Sequence, residues 1–236
     1  INAEKIKLTN KNGEEIANEI DAKDLLMLIS ESAWKCGDPG IQFDDTINEW
    51  HTIPKVGRIN ASNPCSEYMS IDNSACNLAS INLLKFYKNG KFDYEGFKIC
   101  CELVTISMDI LVSMSSYPTK EIEDNAKKYR QLGLGFCNLG SLLMASGFPY
   151  DSEESRLAAS RISSTMTATA YKTSAILASV VGKFHDYTKH YHDFELVINK
   201  HLSYSEKLMS EKEMDFKEIL FNPFKREWQE TLDLIK

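Results

Sequence analysis

Asn63-Pro64-Cys65-Ser66-Glu67, followed by Ser74-Ala75-Cys76-Asn77-Leu78-Ala79-Ser80-Ile81-Asn82-Leu83, is the stretch on which the fold turns. Its first part sets a thiol between an amide and a carboxylate at alternate positions, with a second thiol, Cys76, shortly after. In extended backbone, alternate side chains share a face. Asn63, Cys65 and Glu67 are therefore expected to point at one small target. That pattern suits a sulfur attacking one atom while its neighbours hold and deprotonate the adjacent group. Further on, Ser80 to Phe86 alternates loosely and reads as a buried strand, ended by the turn Asn89-Gly90. Two or three strands do not form a stable sheet alone, so the remaining strands are expected from sequence beyond these 236 residues.

Working outward, residues 45–79 show no periodicity and read as one long loop, a feature that is usually functional in a compact domain. Before it, residues 1–20 read as a polar hairpin turning at Asn12-Gly13. Residues 22–36 read as a helix capped by Asp21, with Leu25, Leu28, Ile29, Ala33 and Cys36 as its apolar stripe and Gly37 and Pro39 as its stop. Gly40 to Asp44 reads as a short strand. After the loop the chain reads as helical. Asp93 caps a helix to about Ser116, with Phe97, Cys101, Val104, Met108 and Leu111 inward. Leu132 to Ser146, with Gly133, Gly135 and Gly140, reads as a closely packed helix. Asp151 and Glu154 make a capping-box pattern for a long Ala/Ser/Thr-rich helix ending near Gly182. Weaker helices are expected at about 190–202, 205–220 and 223–236.

Composition narrows the function classes. Hydrophobic residues make up 43%, charged residues 26%, and the net charge is -7, ordinary values for a soluble globular chain. No basic cluster points to a nucleic-acid polymer, although a single nucleotide needs only local contacts. No apolar run approaches the roughly 20 residues of a membrane span. Six cysteines at scattered spacings suggest a reducing cytoplasm. Ile1 stands first, and Leu232-Asp233-Leu234-Ile235-Lys236 ends inside an amphipathic pattern, so the chain is expected to be a piece of something longer.

From Trp34 onward the sequence resembles the large catalytic chain of ribonucleotide reductase, most closely the class II, adenosylcobalamin-dependent form. The matching stretches are Trp34 to Gly40, Asp45 to Thr52, Gly57 to Tyr68, Ser74 to Leu83, Tyr129 to Gly135 and Asn138 to Gly140. The short step from Cys65 to Cys76 favours class II over class I, whose chains carry a longer insertion there. The resemblance implies an α/β fold: part of a ten-stranded α/β barrel of two parallel half-sheets. This chain would be mostly helical with a few short strands and a finger loop at about 45–79 that carries the active site. Residues 1–236 would form a partial catalytic barrel domain, helical from about 93.

The resemblance also implies roles. Cys65 would become a thiyl radical and take the 3′ hydrogen of a ribonucleotide. Glu67 would accept the 3′-hydroxyl proton, and Asn63 would orient the ribose. Ser62, Asn63, Pro64, Cys65, Ser66 and Glu67 would line the substrate. Cys76 would be half of a dithiol that ends as a disulfide, its partner on an earlier strand. Implied partners are a ribonucleoside di- or triphosphate, a thioredoxin-type or glutaredoxin-type reductant, the flanking parts of the same enzyme and a second copy in a homodimer. The other readings are a class I chain with a separate radical-generating subunit, and a non-catalytic helical remnant that serves as an interaction module.

The remaining chemistry-bearing residues have plainer readings. Cys36, Cys100, Cys101 and Cys137 sit in helical patterns and read as core thiols. His185, His190 and His192, with Asp186 and Asp193, match no zinc spacing and read as a solvated polar segment, so no metal ligand is assigned.

Overall fold

The structure, a computed structural model, describes residues 5–10, 12–16, 19–210 and 225–236, which fall into two compact units divided at Asp44.

In the first unit, β1 (Lys5–Ile6) pairs antiparallel with β2 (Ile20–Asp21). Asn10 and Gly13 close the turn between them, as the Asn12-Gly13 signal predicts; Gly13 supplies the required positive φ of 83°. Helix α1 (Ala22–Cys36) begins where the Asp21 carboxylate accepts from the amides of Lys23 and Asp24, and ends at Gly37 in the left-handed conformation. Its apolar stripe is not buried: Leu28 is 61% exposed, Trp34 84%, and Cys36 is exposed rather than core. The expected strand at Gly40 to Asp44 is absent, because no described strand offers it a ladder; helix α2 (Asp44–Glu49) starts there instead.

The second unit is built on one parallel pair. Strand β3 (Asn77–Asn82) runs beside β6 (Leu132–Cys137), with Asn77 opposite Leu132 and Asn82 opposite Cys137. A parallel pair needs a long crossover. Here it comprises a 3-10 turn at Leu83–Phe86, the hairpin β4 (Tyr87–Lys88) and β5 (Lys91–Phe92), then helices α3 (Tyr94–Met114) and α4 (Lys120–Tyr129). Beyond β6 come α5 (Leu139–Ala145), α6 (Glu153–Val181), α7 (Tyr187–Ser210) and α8 (Lys225–Ile235).

The region expected as a glycine-spaced helix, Leu132 to Ser146, is thus strand β6 followed by α5. The reason lies in the period. Leu132, Leu134 and Phe136 alternate with Gly133, Gly135 and Cys137, and strand alternation sends Leu134 and Phe136 to the core while leaving Cys137 exposed. The core reading of Cys137 fails with the helix. Cys101 is core as expected, and burial pushes its thiol up to about 12; Cys100 is half-buried. Strand β3 also starts earlier than Ser80 and ends at Asn82, whose side chain caps the turn that follows.

Helix α4 has only a short apolar row, Ile122, Ala126 and Tyr129, with Ala126 fully buried. Its signals are polar: the Thr119 cap, Glu121 and Glu123 in the first turn, and Lys127 and Lys128 in the last. Helix α7 runs through the expected break at 203–204; Ser205 bonds back to the Leu202 carbonyl at 2.7 Å and so stays within the helix. The rest of the helix expected at 205–220 lies outside the described residues.

One core lies between β3, β6, α3, α5 and α6, centred on Leu83, Phe97, Cys101, Leu142, Leu143 and Ile162. The buried row of α3 is Phe97, Cys101, Thr105, Met108 and Val112, so Leu111 points out, not in. A second core joins α6, α7 and α8 around Ala168, Ile198, Trp228 and Leu232. Trp228 stacks on His201 at 4.7 Å and donates to Ser164 Oγ at 2.8 Å. No helix among the described residues is long and apolar enough to cross a membrane.

Candidate active site

The segment from α2 to β3 has almost no regular structure, and side chains hold it in place. Asn48 grips Ile59 with both ends of its amide: Nδ2 donates to the Ile59 carbonyl and Oδ1 accepts from its amide, each at 3.0 Å. Trp50 packs on the rings of His201 and Tyr204, and Lys200 bonds Glu49, so the segment is pinned to α7. Lys55 reaches the Lys189 carbonyl at 2.8 Å and lies 3.1 Å from Asp193. His51 is buried. Burial pushes its pKa down, against the opposing effect of the Gly57 carbonyl 2.8 Å from Nε2. The neutral ring then donates from Nε2 to Gly57 and accepts at Nδ1 from the Ile53 amide, a tautomer assigned from these partners.

The cysteine motif is not extended. It forms a small hairpin, with Ser62 bridged to Met69 and the Asn63 amide donating to the Tyr68 carbonyl. Asn63 Oδ1 accepts from the Tyr68 amide at 3.0 Å, and the Ser66 amide donates to the Asn63 carbonyl at 3.1 Å. Ser66 takes a positive φ of 64° to close the turn. The Ser62 hydroxyl bonds the Asn63 carbonyl and reaches Ser66 Oγ. Pro64 and Cys65 are therefore at the tip, exposed, with Glu67 exposed on the returning leg. Asn63 has a structural duty that alternation did not reveal: its side-chain carbonyl oxygen holds the turn.

Behind the hairpin, Tyr68 donates to Ser74 Oγ at 3.0 Å, Asn60 to Asp72, and Asn125 of α4 to the carbonyls of Asp72 and Asn73. These bonds deliver the chain to Cys76, which is half-buried immediately before β3. Burial pushes the Cys76 thiol up, and the charge of Glu67 pushes it further. Glu67 and Cys76 are thus near enough to couple. Gly133 of β6 underlies the sulfur: a Cβ there would lie 3.3 Å from Cys76 Sγ. Gly133 lies in the stretch whose glycine spacing suggests helix packing; the two-residue alternation around it was the signal of a strand. Nothing in the sequence singled out Asn125.

Among the described residues no three potential metal ligands converge. His190 is buried, not solvated as its segment was expected to be.

A parallel strand pair joined through helices, with one thiol at its leading edge and a second on a clasped hairpin preceding it, makes this a thiol-bearing α/β segment. Over residues 3–236 the chain matches the family described as ribonucleotide reductase, barrel domain, and it belongs to that family. It is 50% identical over 202 residues to a vitamin B12-dependent ribonucleotide reductase of Streptomyces avermitilis, covering 84% of this chain and 21% of that one. A protein of the same description from Streptomyces coelicolor is 45% identical, covering 98% of this chain and 24% of its own length. One from Rhodopirellula baltica is 53% identical, covering 71% and 16%. The chain therefore spans about a quarter or less of the length of the curated relatives it matches. The alpha subunit of the class Id ribonucleotide reductase of Actinobacillus ureae shares the fold, with a TM-score of 0.58 at 23% identity over 71% of this chain and 34% of that one.

Proposed function

We propose that this chain is the central part of the ten-stranded catalytic barrel of an adenosylcobalamin-dependent ribonucleotide reductase, which converts ribonucleoside di- or triphosphates to 2′-deoxyribonucleotides in the cytoplasm. The observation that carries the reading is the exposed thiol of Cys65 at the tip of a clasped hairpin. Glu67 lies two residues on and is coupled to the half-buried second thiol, Cys76. The names of the relatives favour B12 dependence over a class I chain or a non-catalytic remnant.

The residues leave room for a bulky cofactor: Cys65 is exposed, and β6 presents the glycines Gly133 and Gly135 on the face that carries Cys76. Adenosylcobalamin, when bound, supplies a radical by cleavage of its cobalt–carbon bond. Cys65, as a thiyl radical, takes the hydrogen from C3′ and becomes a thiol, leaving the radical on carbon. Glu67 accepts the 3′-hydroxyl proton, and the side-chain NH2 of Asn63 holds the ribose hydroxyls. The 2′-hydroxyl leaves as water. Cys76 and a second thiol from the flanking barrel give up two electrons and two protons, one proton to the departing water and one to C2′, and become a disulfide; Glu67 returns its proton to the 3′-oxygen and Cys65 its hydrogen to C3′. A thioredoxin-type or glutaredoxin-type dithiol reduces the pair for the next cycle, and the complete enzyme works as a homodimer. In the full-length parent enzyme, Cys65→Ala is expected to abolish deoxyribonucleotide formation while leaving the thermal unfolding midpoint unchanged. Turnover by that variant would overturn the assignment.

A further inference from the structure

The side chain of Tyr68 ties the hairpin that carries Cys65 to the turn that leads into Cys76. Asn63 holds the main chain of Tyr68 at both polar groups. Its amide donates to the Tyr68 carbonyl at 3.4 Å, and its Oδ1 accepts from the Tyr68 amide at 3.0 Å. The half-buried ring runs out of the hairpin, and its hydroxyl donates to Ser74 Oγ at 3.0 Å. Ser74 in turn donates to the Ile71 carbonyl at 2.5 Å. A serine hydroxyl has one hydrogen and two lone pairs. With its hydrogen committed to Ile71, Ser74 accepts from the phenol, and the direction of the chain of bonds is fixed. The Ser70 hydroxyl also acts on this phenol.

The far end of this strut is firm. Asn125 of α4 donates to the carbonyls of Asp72 and Asn73, Asn60 donates to the Asp72 carboxylate, and Ile71 is buried. Ser74 leads from that turn to Cys76, immediately before β3. The near end is the residue next to Glu67. The exposed Glu67 carboxylate makes no hydrogen bond or ion pair among the described residues, so the backbone that bears it sets its place. Glu67 and Cys76 therefore sit on two separate pieces of backbone, and Tyr68 spans the gap between them.

We propose that Tyr68 is a positioning residue whose hydroxyl sets the distance from Glu67 to Cys76 and so keeps the carboxylate beside the second thiol. The charge of Glu67 favours the protonated sulfur, and burial works in the same direction. The titratable groups facing Cys76 are Glu67 and Tyr68, both on the hairpin; β6 meets the sulfur with the uncharged Gly133. A phenol is neutral near neutral pH, and burial pushes that of Tyr68 higher still. Tyr68 therefore acts by its reach and not by its charge. When Glu67 takes the 3′-hydroxyl proton, its charge is lost, and Cys76 more readily gives its own proton to the departing water. That consequence for turnover rests on the proposed function; the strut itself does not.

The test is residue-resolved alkylation of the purified chain with iodoacetamide from about pH 6 to about pH 10, read by peptide mass spectrometry. Exposed Cys36 and Cys137 serve as references. Glu67→Gln removes the charge, and Tyr68→Phe removes the hydroxyl while keeping the ring. The thiolate is the reacting form, so each substitution alone is expected to speed alkylation of Cys76 near neutral pH. The gain is about threefold, a profile moved down by about half a pH unit, as one nearby charge in water would give. The double variant should match Glu67→Gln, because once the charge is gone its distance no longer matters. Cys36 and Cys137 should not move. A Cys76 profile unmoved in either single variant overturns the inference. So do effects that add in the double variant, which would mean that Tyr68 acts through burial alone. A change shared by the reference cysteines overturns it as well. Failure of the parent enzyme to form deoxyribonucleotides, alongside the expected alkylation pattern, would sink the proposed function and leave the strut standing.

Discussion

Replacing Gly133 with alanine tests the strand pairing at its tightest point. The added Cβ would lie 2.4 Å from Leu78 Cδ2, 2.9 Å from the Asn77 carbonyl oxygen and 3.3 Å from Cys76 Sγ. The leucine methyl can swing away, since Leu78 is 65% exposed. The carbonyl belongs to the backbone of β3 and moves only if the ladder moves. Overpacking of this kind costs about 1–3 kcal/mol, against which alanine recovers about 0.4–1 kcal/mol of unfolded-state entropy. A net loss of about 1–2 kcal/mol corresponds to a fall in Tm of about 2–8 °C for a chain of this size. Gly135 is the control. It lies two residues on along β6, and its nearest neighbours would be 3.9 Å from a new Cβ, at ordinary contact distance. Gly135→Ala should therefore leave Tm unchanged or raise it slightly. Thermal unfolding followed by circular dichroism separates the two. Equal Tm for Gly133→Ala and the parent chain, or equal damage from both substitutions, would refute the parallel register of β3 and β6.

Three other substitutions probe the clasped segment, the second core and the redox pair. Burial holds the His201 pKa down at about 4, below its ordinary value of 6.5. The unfolded chain therefore binds the proton first, and stability present above about pH 6.5 is lost as pH falls toward about pH 4, by about 3 kcal/mol. His201→Phe should remove that much of the acid sensitivity in urea unfolding, and an unaltered pH slope would contradict it. Asn48→Ala breaks both bonds to Ile59 and should cost about 1–3 kcal/mol; faster hydrogen exchange at the Ile59 amide is the check, and continued protection would refute the clasp. In the parent enzyme, Cys76→Ser should permit radical formation on Cys65 but stop repeated turnover, and sustained thioredoxin-driven turnover would refute its redox role.

The helices with caps and apolar rows were legible: Asp21 and Asp93 each begin one, and α6 ends beside Gly182 where its sequence says it should, although its cap is Ser152, whose hydroxyl accepts from the Ser155 amide, and not the expected Asp151. What misled was periodicity shared between two structures. Gly133, Gly135 and Gly140 suit close helix packing, yet the leucines and phenylalanine between the first of them obey a strand period, and only the presence of β3 decides the matter. The site motif was legible as chemistry and misread as geometry. Alternation placed Asn63, Cys65 and Glu67 on one strand face, whereas the Asn63 side chain bends the chain into a turn by capturing the Tyr68 amide. Helix α4 escaped notice because its apolar row is only three residues, Ile122, Ala126 and Tyr129, among charged neighbours, although Asn125 on it fixes the approach to Cys76.

The reliance of residues 48–75 on asparagine gives this region a chemical lifetime of its own. Asn48, Asn60 and Asn125 each donate through a carboxamide nitrogen to hold irregular backbone. Hydrolysis of such an amide, a slow reaction hastened by heat, exchanges the donor for a negatively charged acceptor. At Asn60 and Asn125 the new charge would fall beside Asp72 or its carbonyl. Prolonged warming would then loosen the tether between the two sulfurs long before it melted the helices around them.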